Sequence, residues 1–407
     1  MVGKDPYSIP LDEIDLSHPG IWQANEFLPF LARLRKEAPV HYCRQSAVGP
    51  YWSIMKYADI MTVDTSPDIY SSEPTVGIVD TFEEFTLPMF IAMDPPKHDV
   101  QRKIVQPVVA PDNLKRMESL IRQRVCTILD ELPVGEEFDW VKHVSIELTT
   151  QMLATLFDFP FEDRHKLTYW SDVATAIPGG GVVNSQEERW EAVQECLGYF
   201  TRLWNERVNS EPGNDLISML AHGDATRNMP PMEYLGNIIL LIVGGNDTTR
   251  NSLTGGVLAL NENPAEYDKL RNDVSLIPNM VSEIIRWQTP LAYMRRTAKV
   301  DTDLGGQQIK AGDKVVMWYA SGNRDEEAIE KADDFLIDRP RARQHLSFGF
   351  GLHRCMGNRL AEMQLRIVWE EIMLRFQEVE VVGEPQRVYS SFVKGYTHMP
   401  VVLHPKA

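Results

Sequence analysis

Apolar residues return every three or four positions through most of this chain, the period of a helix with one buried face. Phe27, Phe30, Leu31 and Leu34 form one such stripe and predict a helix over 27–37. The same reading predicts helices over 57–64, 97–109, 112–132, 139–158, 162–176, 186–210, 278–288 and 358–375. The longest runs over 232–263, between Pro231 and Pro264. Strand-like pieces are short. They are a hairpin of 40–42 and 51–54, an extended segment at 289–298, strands at 307–309 and 315–318, and a tail from 379 to 403. Residues 1–20 read as an irregular arm. The pattern is mainly α with small β-sheets.

Two stretches escape both periods. Residues 71–93 are long and aperiodic, yet they carry Val76, Ile78, Val79, Phe82, Phe85, Leu87, Met89, Phe90 and Ile91. A loop of that length inside a compact domain is usually functional, and its apolar content predicts a cover over a pocket. The second, Ile177-Pro178-Gly179-Gly180-Gly181-Val182, is a hinge candidate between long helices. It is not a phosphate loop, because no strand precedes it and no Lys-Ser/Thr follows.

The long helix has an unusual middle, Leu240 to Val243 followed by Gly244-Gly245-Asn246-Asp247-Thr248-Thr249. A mid-helix glycine costs about 1 kcal/mol relative to alanine, and a buried Asp or Thr needs a partner. A threonine hydroxyl can bond the carbonyl four residues back. Such a bond is expected to distort the helix and open a groove for a small ligand or water.

Near the end of the chain Cys355 sits among Gly349, Gly351 and Gly357, just before the helix over 358–375. Unpaired amides at a helix N-terminus favour negative charge, so they are expected to lower this thiol's pKa and suit it to bind a metal. Cys43, Cys126 and Cys196 have no ligand-like company and read as ordinary small hydrophobes.

The spacing Phe348-x-x-Gly351-x-His353-x-Cys355-x-Gly357 resembles the haem-binding signature of the cytochrome P-450 family. The resemblance covers nearly the whole chain. It implies one mostly helical, prism-shaped domain over 1–407 with no fused reductase, and haem b between the long helix and the Cys loop. Cys355 is then the thiolate ligand to iron. His98, Arg102, Arg296 and His353 hold the propionates, and Phe348, Gly349, Gly357 and Gly244 border the ring. Asp247 and Thr248 form the acid–alcohol pair that relays protons for dioxygen reduction. Glu283, Arg286 and Arg339 form a structural ion triad. The implied reaction is monooxygenation of an apolar substrate.

Composition narrows the partners. The formal charge of −17 argues against nucleic acid. Four scattered cysteines and a polar N-terminus point to the reducing cytoplasm. The longest strongly apolar run, 238–243, is far below the roughly 20 residues of a membrane span. Residues 339–366 carry six arginines and one acid, Glu362. That face suits an acidic ferredoxin, itself reduced by an NAD(P)H-dependent reductase, docking on a monomer.

Val76, Leu87, Met89, Ile177, Leu240, Leu291, Tyr293, Met294 and Phe392 are the expected substrate contacts. The wording around Asp247 and Tyr293-Met294-Arg295-Arg296 resembles soluble bacterial alkane hydroxylases. Medium-chain alkanes, alcohols or fatty acids, oxidised at the chain end, are the expected substrates. Terpene or steroid hydroxylation is the alternative within the family, and a haem-based sensor or carrier the alternative outside it.

Overall fold

The computed structural model describes residues 1–80 and 87–406. Phe82 and Phe85 lie outside the described residues. One helix, Pro231–Glu262, runs through the largest core, and its second half is buried on every face from Thr249 to Leu260. Proline at its first turn suits a position whose N–H would lack a helical partner anyway. Helices Glu147–Phe157, His165–Thr175, Ile277–Gln288 and Asn358–Arg375 pack against it.

Glycines set those crossings. A Cβ at Gly245 would stand 2.7 Å from Leu153, and one at Gly256 2.9 Å from Ile284. At Gly236 it would stand 2.0 Å from the Pro88 carbonyl oxygen. That last contact lays the loop after residue 86 across the helix, and Phe90 N–H donates to Asn237 Oδ1 at 2.9 Å. Leu87 and Met89 are thereby held one turn from Leu240.

The β structure lies to one side. Val40–Cys43, Tyr51–Ile54, Lys314–Met317, Met294–Ala298 and Tyr70–Ser71 form a five-stranded sheet in that order. Val40 pairs with Ile54 in the antiparallel hairpin, and Trp52 faces Val315 in a parallel pair. Met294 faces Met317, so the strand bearing Arg296 is an inner one. In a second sheet, Pro400–Pro405 lies between Glu137–Asp139 and Phe376–Val381.

The structure corrects the expected elements in three places. The N-terminal arm is ordered: it makes 3₁₀ turns at Pro6–Ser8 and Leu11–Glu13 and a helix at Pro19–Gln23. Arg33 ties it down through the Ile9 carbonyl at 2.6 Å, and Ile9, Ile14, Leu16, Ile21 and Trp22 cover the sheet. Asp139 ends a strand rather than opening a helix, because Val401 and its neighbours pair with 137–139. The chain then makes a π turn at Val141–Ile146 before the α-helix. Helices Leu216–His222 and Pro264–Asn272 were not expected. Asp215 caps the first by accepting from Ser218 N–H at 2.8 Å, and Pro264 opens the second.

Candidate active site

The Cys loop is pinned from several elements. Ser347 Oγ donates to Ile285 O at 2.8 Å, and Leu346 N–H donates to Asn323 Oδ1 at 2.6 Å. Cys355 N–H donates to Phe348 O at 2.7 Å, which closes the loop on itself. Gly349 and Gly351 both have φ +63°, and a Cβ at Gly351 would stand 2.5 Å from Asp64 O. Only glycine meets both demands.

Helix Asn358–Arg375 begins three residues after Cys355, and the amides of Gly357 and Asn358 point to the sulfur. They do not lower the thiol's pKa as expected. Burial outweighs them and the charges of Arg102 and Arg354, so the free thiol sits above its usual value. Cys355 is nonetheless accessible. A sulfur both surrounded by protein and reachable opens onto an internal cleft. A metal that displaces its proton would gain the amides and Arg102 as supports.

His98, Arg102, Arg296 and His353 converge. The His98 and His353 rings lie 4.2 Å apart between centroids. His353 Nε2 meets Ser72 Oγ at 2.8 Å, and His98 Nδ1 meets Asp99 Oδ1 at 2.7 Å. The other nitrogen of each ring, His353 Nδ1 and His98 Nε2, is buried without a hydrogen-bond partner among the described residues. Burial, then the charges of Arg296, His98 and Arg102, push His353 down to about 2. Such a cluster, with two orphaned nitrogens, fits a pair of carboxylates.

The middle of the central helix is partly accessible. Leu240, Gly244 and Thr248, spaced four apart, form one accessible stripe with Leu241, Val243 and Gly245 partly accessible beside it, while Ile239, Ile242, Asn246, Asp247 and Thr249 are buried. A Cβ at Gly244 would meet nothing within 4 Å, unlike one at Gly236, Gly245 or Gly256. Packing by the described residues does not require glycine there, and the open space suits a flat group lying against the helix. The orphaned imidazole nitrogens, the reachable thiol and this unfilled glycine together fit haem.

Thr248 Oγ1 donates to Gly244 O at 2.9 Å, but the helix stays continuous through this turn. The turn keeps its α-helical assignment, and open space lies over Gly244, where a Cβ would meet nothing within 4 Å. With its proton engaged, the Thr248 hydroxyl offers lone pairs to the cleft.

Asp247 is fully buried. Its Oδ1 pairs with Arg250 at 2.8 Å, and its Oδ2, near Ser171 and Thr175, makes no hydrogen bond within 3.5 Å among the described residues. Burial lifts its pKa to about 6, with Arg250 opposing and Asp172 assisting. Arg250 also pairs with Asp172, whose side chain is 32% exposed. A buried acid is thus linked through one guanidinium to a carboxylate that reaches solvent. Sequence reasoning missed Arg250 and Asp172, since their meeting across two helices leaves no local signal.

Glu283 accepts two bonds from Arg286, both at 2.7 Å, and one from Arg339 Nε at 2.9 Å. Burial resists its charge, but these partners hold its pKa below the usual value. The arginines also bind the carbonyls of Asn323, Ala332, Lys331 and Asp334.

Of the expected substrate contacts, Val76, Leu87, Met89, Ile177, Leu240, Leu291, Met294 and Phe392 are partly accessible. Tyr293 is not: it is 3% exposed, packs on Trp318 and Phe392, and its OH accepts from Ile78 N–H at 3.2 Å. It anchors the loop over the pocket instead of lining the pocket.

Among the described residues no helix is long and apolar enough to cross a membrane. Residues 117–395 match the family model for cytochrome P450. The linalool 8-monooxygenase of Pseudomonas putida is 34% identical, over 97% of this chain and all of that protein. The methyl-branched lipid omega-hydroxylase of Mycobacterium tuberculosis strain H37Rv is 31% identical, over 98% of this chain and 96% of its own length. Among solved structures, cytochrome P450-153 from Novosphingobium aromaticivorans superposes with a TM-score of 0.90 at 47% identity, covering 96% of this chain and 99% of that one. With the cleft's thiol, its cationic rim and these likenesses together, the chain belongs to the cytochrome P450 family and is a haem b monooxygenase.

Proposed function

We propose that the protein hydroxylates the chain end of medium-chain alkanes, alcohols or fatty acids, drawing electrons from an acidic ferredoxin and its NAD(P)H-dependent reductase. The observation that carries the substrate reading is the accessible stripe at Leu240, one helical turn from Gly236, where the backbone of residues 87–88 crosses the helix. Neither it nor the other accessible candidates presents a charge that would orient a polar molecule. The two curated relatives are named for oxidation at position 8 of linalool and at the omega carbon of a lipid, which supports attack at a chain end.

Cys355 would hold the iron, and His98, Arg102, Arg296 and His353 the propionates. Phe348, Gly349, Gly357 and Gly244 would border the ring. Bound haem supplies dioxygen activation; one oxygen atom enters the C–H bond and the other leaves as water, which calls for two electrons and two protons. Asp247 is suited to that proton supply, since a carboxyl near pKa 6 both takes and gives a proton around neutrality. Thr248, its own proton donated to Gly244 O, would accept a hydrogen bond from a water that carries the proton onward.

Octane added to the ferric protein is expected to shift the haem absorption band, and turnover to yield the terminal alcohol. If octane and the corresponding alcohol and acid give no shift while linalool does, the terpene alcohol reading, favoured by the Pseudomonas relative, replaces this one.

The docking face is narrower than the six arginines of 339–366. Arg339 is buried, Arg366 pairs with Glu118 and Glu370, and Arg343 pairs with Glu362. Arg341, Arg354 and Arg359 remain exposed, with no ion pair among the described residues. Reduction by an acidic ferredoxin is expected to slow as salt rises from 0.05 to 0.5 M, because exposed charges are screened within a Debye length of about 10 Å at 0.1 M. A rate indifferent to ionic strength would remove this face as the electron entry.

A further inference from the structure

Asp64 ends the helix Tyr57–Asp64, far from the Cys loop in sequence, and no motif marks it. Its side chain is 1% exposed. Oδ1 accepts from Arg296 Nη2 at 2.7 Å. Oδ2 accepts from Phe350 N–H at 2.7 Å and from Tyr319 OH at 3.0 Å. Its backbone carbonyl is the atom against which Gly351 packs. One buried carboxylate thus grips the Cys loop five residues before Cys355 and, at the same time, a guanidinium of the cationic cluster.

We propose that Asp64 is a positioning residue for the haem site, coupling the seating of the Cys loop to the orientation and charge of Arg296. The proposal rests on the reading of Arg296 as a propionate clamp. Its physical basis is twofold. A buried carboxylate with three donors cannot be vacated cheaply, so the loop and Arg296 are held in one mutual arrangement. Its negative charge also offsets part of the positive charge that Arg102 and Arg296 place beside the haem, in a medium where charges are poorly screened.

The test compares holoenzymes carrying Asp64→Asn, Tyr319→Phe and Arg296→Gln by two readouts: the haem reduction potential, and the rate of haem transfer to excess apomyoglobin. Asp64→Asn preserves shape and one acceptor but deletes the charge. It is expected to move the potential positive and to quicken haem loss about tenfold, the scale of one weakened buried hydrogen bond. Arg296→Gln is expected to quicken loss too, but to move the potential negative. Tyr319→Phe keeps the charge and is expected to quicken loss without a positive shift. A potential unmoved by Asp64→Asn but lowered by Arg296→Gln overturns the proposal while leaving the clamp intact. Arg296→Gln with no effect on either readout overturns the clamp and the proposal with it. A positive shift from Tyr319→Phe equal to that of Asp64→Asn means loop distortion rather than charge, and also overturns it.

Discussion

Replacing Glu283 by Gln is expected to destabilise the protein by roughly 3–5 kcal/mol, because Arg286 and Arg339 are left buried without their shared carboxylate. Both guanidiniums also hold carbonyls between 323 and 334, so the segment leading to the Cys loop loses its tether. The midpoint of denaturant unfolding of the holoenzyme reports the loss. Glu195→Gln is the control: its pair with Lys166, at 2.8 Å, is half exposed and worth less than about 1 kcal/mol. The sign of the pH dependence follows from Glu283, whose pKa is lowered from 4.5 in the folded protein. A depressed carboxylate contributes stability above its unfolded pKa and loses it as pH falls through the folded one. The gap between wild type and variant should be full at neutral pH and shrink below about pH 4.5. A gap that stays constant into acid would mean the triad's charge contributes nothing.

The second large effect concerns turnover. Asp247→Asn is expected to lower the rate of product formation about 10²-fold, the lower range for loss of a general acid. The substrate-induced spectral shift should stay unchanged, because Asp247 is buried behind the accessible stripe. Slowing should be greater in deuterium oxide for the variant than for wild type if proton supply has become limiting. Normal turnover with normal product yield would exclude Asp247 from the relay. Stability moves in the opposite sense to Glu283. A carboxyl raised from 3.8 to about 6 favours the folded state when protonated, so wild type should lose stability relative to the Asn variant as pH rises through that window.

Much of this was legible in the residues themselves. Helices 27–37, 57–64 and 358–375 end where the apolar stripe and the turn residues end. The Cys loop was legible because a tight turn with two left-handed residues admits little but glycine at 349 and 351. Where the reading failed, a distant partner had decided the matter. Asp139 looked like a helix start until Val401 and its neighbours claimed the segment as a strand. Tyr293 looked like a pocket residue because it adjoins Leu291 and Met294, yet packing on Trp318 and Phe392 buries it with the residues of the N-terminal arm.

The helical architecture, the thiol-bearing loop and the polar middle of the long helix are written in residue spacing over a few turns, and so were readable before any contact was known. Contacts between distant segments settle which glycine faces empty space, which arginines stay unpaired on the surface, that Asp64 meets both Arg296 and Phe350, and that Arg250 joins Asp247 to Asp172. Those are properties of residues brought together across tens to hundreds of positions. A carboxylate's meaning depends on what it meets: the same side chain is a solvated charge on one helix end and a buried clasp on another.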